Sequence, residues 1–176
     1  MIEKIRKIFH LKGLCRVVCL WFVNHIYAGD SKPKYFAIKR RLLIAAGLQI
    51  GEGTKIVGPI YPHGKLIIGS NCWIGKNLIV NGNGRVTIGD NCDIGPEVTF
   101  QTGGHEIGTK MRRAGKGLIF NQCVGDGTWI GGRVTILNNT TIGQSCVIAG
   151  CACVVGNVED NVVVGGVPAH VIKKIT

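Results

Sequence analysis

The stretch VGDGTWIGGRVTILNNTTIGQSCVIAGCACV, from Val124 to Val154, repeats itself every six residues. Val124, Ile130, Ile136, Ile142, Ile148 and Val154 mark the period, and glycine or another small or polar residue usually follows the aliphatic one. Leu118 stands one period upstream. Beyond an interruption the same beat returns at Ile88, Ile94 and Phe100. Across a two-residue phase shift it returns again at Ile50, Ile56, Ile68, Ile74 and Val80, with Pro62 in one of its places. Four residues after many of these sits a small or β-branched residue: Thr54, Ile60, Cys72, Cys92, Val98, Thr128, Val134, Thr140, Cys146 or Ala152. A period of two makes a strand and one of 3.6 a helix. A period of six makes neither alone, and self-similarity of this kind is the mark of a repeat architecture. Both positions must face inward, and glycines such as Gly51, Gly69, Gly75, Gly89, Gly95, Gly125, Gly131 and Gly143 are read as permitting the turns. Three hexads closing into a triangle satisfy the pattern. The fold class expected is therefore all-β, a parallel β-helix of about five coils over residues 49–176.

The composition agrees. A chain of 176 residues is the length of one ordinary domain. Its 27 glycines are about 15% of the residues, twice the usual share of about 7%, and 24 of them follow residue 49. That load excludes a mostly helical protein, the lack of a three-residue glycine period excludes collagen, and 45% hydrophobic with 18% charged residues argues against disorder. The formal charge of +11 is uneven: residues 1–48 hold ten Lys/Arg against Glu3 and Asp30, or +8. A basic end suggests an acidic partner. No recognition-helix pattern, aromatic-studded basic strand or zinc-finger spacing is present, so nucleic acid is not expected. Eight cysteines would fit a disulfide framework. However, Cys72, Cys92 and Cys146 fall on inward repeat positions and no cleavage site follows the apolar N-terminal stretch, so they read as reduced thiols in a cytoplasmic protein.

Residues 1–48 form a separate basic helical region. Ile5, Ile8, Cys15, Val18, Cys19, Phe22 and Ile26 recur at helical spacing to about Tyr27, and Val17 to Val23 is too short to span a bilayer. Two readings of this helix stand side by side. Basic residues with Trp21, Phe22 and Tyr27 suit an interfacial helix at the inner face of a membrane; the other reading packs the helix on the protein or a neighbouring subunit. Asp30, Ser31 and Pro33 mark a turn, and a second basic helix is expected from Tyr35 to Ala46, ending at Gly47.

Three stretches go beyond the repeat: VTIGDNCDIGPEVTFQTGGHE (Val86 to Glu106), GDGTWIGGRVTI (Gly125 to Ile136) and GGVPAHVIKK (Gly165 to Lys174). With them the chain resembles the hexapeptide-repeat acyltransferases, whose coils form a left-handed prism, from about Ile50 to Ile175. It resembles in particular the O-acetyltransferase branch of galactoside, serine and capsule-polysaccharide enzymes. The resemblance implies acetyl-CoA as co-substrate, a homotrimer with sites at subunit boundaries, and no metal. A carbonic anhydrase on such a prism needs three converging histidines, whereas only His63 and His105 lie in the coil region outside the tail.

His105 falls where the repeat breaks, at the start of an expected loop from Glu106 to Gly117, and imidazole titrates near neutral pH. The resemblance makes it the general base that takes a proton from an acceptor hydroxyl. Glu106 is read as orienting that ring, as binding substrate or as a plain surface carboxylate. Trp129, Gly132 and Gly150 align with positions lining the pantetheine slot, and His170 and Lys173 with basic positions near the nucleotide phosphates. Asn81 resembles a sugar-binding asparagine, though a corner asparagine alone explains it as well. Relatives commonly carry Thr-Lys where this chain has Val155-Gly156, and proline where it has Glu159. Arg113 and Lys116 are candidates either to replace that contact or to grip an anionic acceptor. The expected function is acetyl-CoA-dependent O-acetylation of a sugar hydroxyl in surface polysaccharide biosynthesis. The alternative is serine O-acetyltransferase, whose members usually carry a longer helical region before the coils.

Overall fold

Every inward position expected between Ile50 and Val154 is buried except Leu118, and each small residue four places on is buried beside them. The computed structural model describes residues 13–176. The coil strands stack in parallel into three sheets. The first face holds Gln49–Ile50, Lys65–Ile68, Arg85–Ile88, Asn121–Val124 and Thr141–Ile142. The second holds Lys55–Ile56, Trp73–Ile74, Asp93–Ile94, Trp129–Ile130, Val147–Ile148 and Val162–Gly166, then the antiparallel strand Ala169–Lys174. The third holds Ile60–Pro62, Leu78–Asn81, Thr99–Gln101, Thr135–Ile136 and Cys153–Val154. One core runs down the axis, with Phe100 and a column of isoleucines wholly enclosed.

Three expectations are corrected. A sixth turn of the helix exists: Val158 bridges Ile142, and Val162–Gly166 pairs with Val147–Ile148. It escapes a six-residue pattern because its first inward residue follows Val154 after only four residues. Leu118 is no coil position; it lies half-buried on an arm described below. Finally, the glycines in second place do not make the turns. At Gly75 a Cβ would lie 2.8 Å from the backbone of Gly95 and Pro96 on the next coil, so glycine is needed for close stacking. The left-handed turn is made two residues later, as at Asn77 with φ 58°, where asparagine tolerates that region. All eight cysteines are free, and Cys72, Cys92 and Cys146 are buried.

The first coil presents carbonyls that no earlier coil can satisfy, an open edge that must be covered. Helix α1 (described from 13 to 21 and continued by a π-helical turn, Phe22–Ile26) and helix α2 (Pro33–Ala45) cover it. Arg16 donates to Pro62 O at 2.6 Å, Asn24 to Ile60 O at 2.9 Å, Lys39 to Val57 O at 2.8 Å, and Arg40 to Gly51 O at 2.7 Å. Three of the cations in the basic end therefore cap the prism. Lys39 is wholly buried and also donates to Asp30 O; burial pushes its pKa down to about 8, partly opposed by the Asp30 carboxylate. Helix α2 starts two residues before the expected Tyr35 and closes at Gly47, φ 90°, with Gly47 N donating to Ile44 O and Leu48 N to Leu43 O. The part of the first expected helix before Gly13 lies outside the described residues.

Candidate active site

The repeat breaks at Thr102, which is buried and tied to the coil on three sides. Its hydroxyl donates to Asn81 O at 2.7 Å and accepts from Gly84 N at 3.1 Å, and its carbonyl accepts from Phe120 N at 2.9 Å. Held there, the chain leaves the prism. The expected loop is instead an antiparallel arm, Gly103–Ile107 paired with Ala114–Ile119 and bulged between His105 and Ile107. A loop reading missed it because the arm has no apolar alternation; its two strands are held by backbone bonds and leave no residue fully buried.

His105 is exposed on this arm, and its Nδ1 lies 3.0 Å from Gly115 O. A carbonyl can only accept, so Nδ1 carries a proton, and in the neutral ring the lone pair falls on Nε2. The arm thus orients the ring through a backbone carbonyl, which in the neutral ring selects the tautomer with its lone pair on Nε2. Glu106, Arg113 and Lys116 are exposed on the same arm; the Arg113 guanidinium bends toward Gly108 O at 3.5 Å. Asn81 is the rung partner of Gln101 at the arm's root.

The residues aligned with cofactor positions gather elsewhere. Lys55, Trp73, Asp93, Trp129, Val147, Val163 and Lys173 are successive register partners across the second face. Strands lie about 4.8 Å apart, so Trp129 and Lys173 are about 14 Å apart along this row. Trp129 is 55% exposed. Gly132 and Gly150 stack at the corner leading to the third face, where a Cβ on Gly150 would sit 3.3 Å from Gly132 O. His170 ends the same side, paired with Gly165. Trp73, Asp93, Gly95, Pro96 and Trp129 line a shallow cleft of about 380 Å³. Trp73 and Asp93 were not singled out from the sequence, although the repeated Trp-Ile-Gly at Trp73 and Trp129 is a signal that could have found Trp73.

Within one chain the two groups stay apart. The arm springs from the corner between the third and first faces, whereas Trp129, Gly132 and Gly150 lie on the second face and its corner with the third. Val155-Gly156 shares the arm's corner two rungs further on. There Asn139 Oδ1 accepts from Asn121 N at 2.8 Å and Asn157 Oδ1 from Thr141 N at 2.9 Å. Arg113 and Lys116 thus stand on the same edge of the prism as the missing Thr-Lys pair.

No family model matches the chain. A Saccharomyces cerevisiae protein held to be an acetyltransferase is 39% identical over 111 residues, 63% of this chain and 57% of that protein. The galactoside O-acetyltransferase of Lactococcus lactis is 29% identical over 130 residues, 72% of this chain and 63% of the enzyme. The chain therefore spans about three fifths of the length of these two relatives. Among solved structures, a galactoside acetyltransferase in complex with coenzyme A superposes with a TM-score of 0.78 at 30% identity, over 94% of this chain and 81% of that one.

Proposed function

Because this chain belongs to the hexapeptide-repeat acetyltransferases, we propose that it transfers the acetyl group of acetyl-CoA to a saccharide hydroxyl, with His105 as general base. The observation that carries the proposal is the bond from His105 Nδ1 to Gly115 O on an exposed ring, which in neutral imidazole puts the lone pair on Nε2. Nε2 takes the hydroxyl proton as the oxygen bonds to the thioester carbonyl carbon. The carbon–sulfur bond then breaks, and the departing thiolate recovers the proton from the imidazolium. The transient oxyanion needs N–H donors near it. Acetyl-CoA is assigned to the second face and its corner, with the pantetheine beside Trp129, Gly132 and Gly150 and the phosphates toward His170 and Lys173. Asn81, Glu106, Arg113 and Lys116 are assigned to the acceptor. The separation of these groups on one chain supports a homotrimer in which the arm of one subunit meets the second face of its neighbour.

A saccharide acceptor is favoured over L-serine by the two galactoside enzymes among the relatives. A precursor of a surface polysaccharide, carried on phosphate, suits the cationic residues 1–48. The experiment is turnover of acetyl-CoA with a panel of saccharides and with L-serine, reading free thiol. We expect sugar-dependent thiol release that is lost in His105→Ala. Faster turnover of L-serine than of every sugar would install the serine reading instead.

For location, the outward side of α1 carries Leu14, Val17, Val18, Trp21 and Ile26, all exposed and one helical stripe. The sequence just before it adds Lys4, Arg6, Lys7 and Lys12 against Glu3. An apolar stripe beside a basic segment supports peripheral seating on an anionic lipid surface. No helix among the described residues is long and apolar enough to cross a membrane. Co-sedimentation with phosphatidylserine vesicles, lost on Trp21→Glu, is the expected result; equal recovery in the supernatant with and without vesicles refutes it.

A further inference from the structure

A cleft of about 580 Å³ lies between α2 and the first rungs of the second face, and of its lining only Trp73 is shared with the cleft at Trp129. Its aromatic wall is Phe36 and Trp73, whose rings meet edge to face with centroids 5.5 Å apart; Trp73 remains 39% exposed. Its rim carries Arg40, Arg41 and Lys55, and no carboxylate among the described residues lines it. Arg40 is occupied, since it donates to Gly51 O and Ile50 O. Arg41 and Lys55 are exposed, and the one ion pair among the described residues is Arg133 with Glu97, at another corner. Two cations with no counter-charge among the described residues, set beside an aromatic wall, focus a positive field on a concave surface. A helix and a coil held by their own hydrogen bonds make that surface preformed.

We propose that this cleft binds a nucleoside diphosphate, with the base against Trp73 and the phosphates on Arg41 and Lys55. Stacking on indole explains the aromatic wall, and phosphate oxygens match the guanidinium fork and the ammonium. Inorganic phosphate or a lipid phosphate would use the cations and leave the wall idle. The ADP end of coenzyme A is assigned to the far end of the same row, at Lys173, five rung spacings from Trp73. Resting on the saccharide-acceptor reading, the inference names the acceptor class as a nucleotide-linked sugar.

Calorimetric titration of the full-length protein with UDP, uridine and pyrophosphate tests the site without any turnover. We expect UDP to bind once per chain, and uridine and pyrophosphate each at least about tenfold more weakly. Arg41→Gln with Lys55→Gln is expected to weaken UDP at least about tenfold and to flatten its salt dependence, because exposed, unpartnered cations are replaced and the capping Arg40 stays. Trp73→Leu is expected to weaken UDP while leaving pyrophosphate unchanged. Acetyl-CoA affinity and the melting curve of the double variant serve as fold controls and are expected to match wild type. Equal binding of pyrophosphate and UDP overturns the proposal in favour of a generic anion patch. Full displacement of UDP by coenzyme A overturns it in favour of the cofactor slot, and no UDP binding at millimolar concentration overturns it outright. His105→Ala separates the two readings: it lowers acetyl transfer by about 10²- to 10⁴-fold if the base is correct and leaves UDP binding untouched in either case.

Discussion

Phe100 is enclosed on all sides in the coil strand Thr99–Gln101, and three residues later Gly103 begins an arm in which nothing is fully buried. In the coil, side chains decide the structure, because each inward residue touches the core. In the arm the backbone decides it, through the ladder from Gly103 to Ile119 and the carbonyl of Gly115 that holds the His105 ring. On the proposed assignment a stacked coil supplies the position and a nearly core-free hairpin the chemistry, so stability and activity should separate cleanly under mutation.

The widest separation is expected at His105. His105→Ala should lower kcat/KM by about 10²- to 10⁴-fold, the usual worth of a positioned general base, while an exposed site without a core contact leaves the melting temperature in place. Retention of full rate would remove the base assignment. Phe100→Ala should do the reverse. Deleting a wholly buried ring costs about 3–5 kcal/mol by chemical denaturation, while the folded fraction keeps its specific activity. Equal loss in both measurements from either substitution would mean that arm and coil are one cooperative unit.

The same contrast explains what could be read from sequence. Burial follows a period of six, so the core from Ile50 to Val154 was legible, and Pro62, which breaks the chemistry of the pattern, still fills its place. Leu118 kept the beat without the structure, because an arm happened to resume at a multiple of six. Val158 kept the structure without the beat, because a tighter corner removed two residues. His105 is legible as the point where the period stops and through the resemblance of the stretch that ends at Glu106; the carbonyl that orients it comes from Gly115, a backbone contact with no sequence signature. The capping roles of Arg16, Lys39 and Arg40 were hidden for a similar reason, since their partners are carbonyls of the first coil.

Lys39 sharpens the comparison at the capped end of the stack. Its folded pKa of about 8 lies below the ordinary value near 10.4, so between these two values the unfolded chain binds more protons than the native one. This group therefore adds stability as pH rises through that window. Below about pH 8 it is charged in both states, and its contribution is flat and least favourable. The difference in unfolding free energy between wild type and Lys39→Met should grow with pH from about 8 to 10.4 and be constant below. A difference that is flat throughout would mean that the ammonium stays charged when buried.

The smallest effects should come from one corner of the coil, where two residues share a turn. Gly75 needs its missing Cβ because the next coil's backbone would stand 2.8 Å from it, so Gly75→Ala should cost about 1–3 kcal/mol as overpacking. Asn77 supplies the left-handed turn at φ 58°. Replacing it with glycine relieves a conformational cost of about 1–2 kcal/mol at most, and asparagine pays less than that. The same replacement adds unfolded-state entropy worth about 0.4–1 kcal/mol. The two terms oppose, so Asn77→Gly should move stability by no more than about 0.5 kcal/mol in thermal or urea unfolding. A loss above about 1 kcal/mol would show that the Asn77 side chain, and not only its backbone, holds the corner. A neutral result beside a costly Gly75→Ala would establish that the repeat's glycines set the spacing between coils and its asparagines the turn.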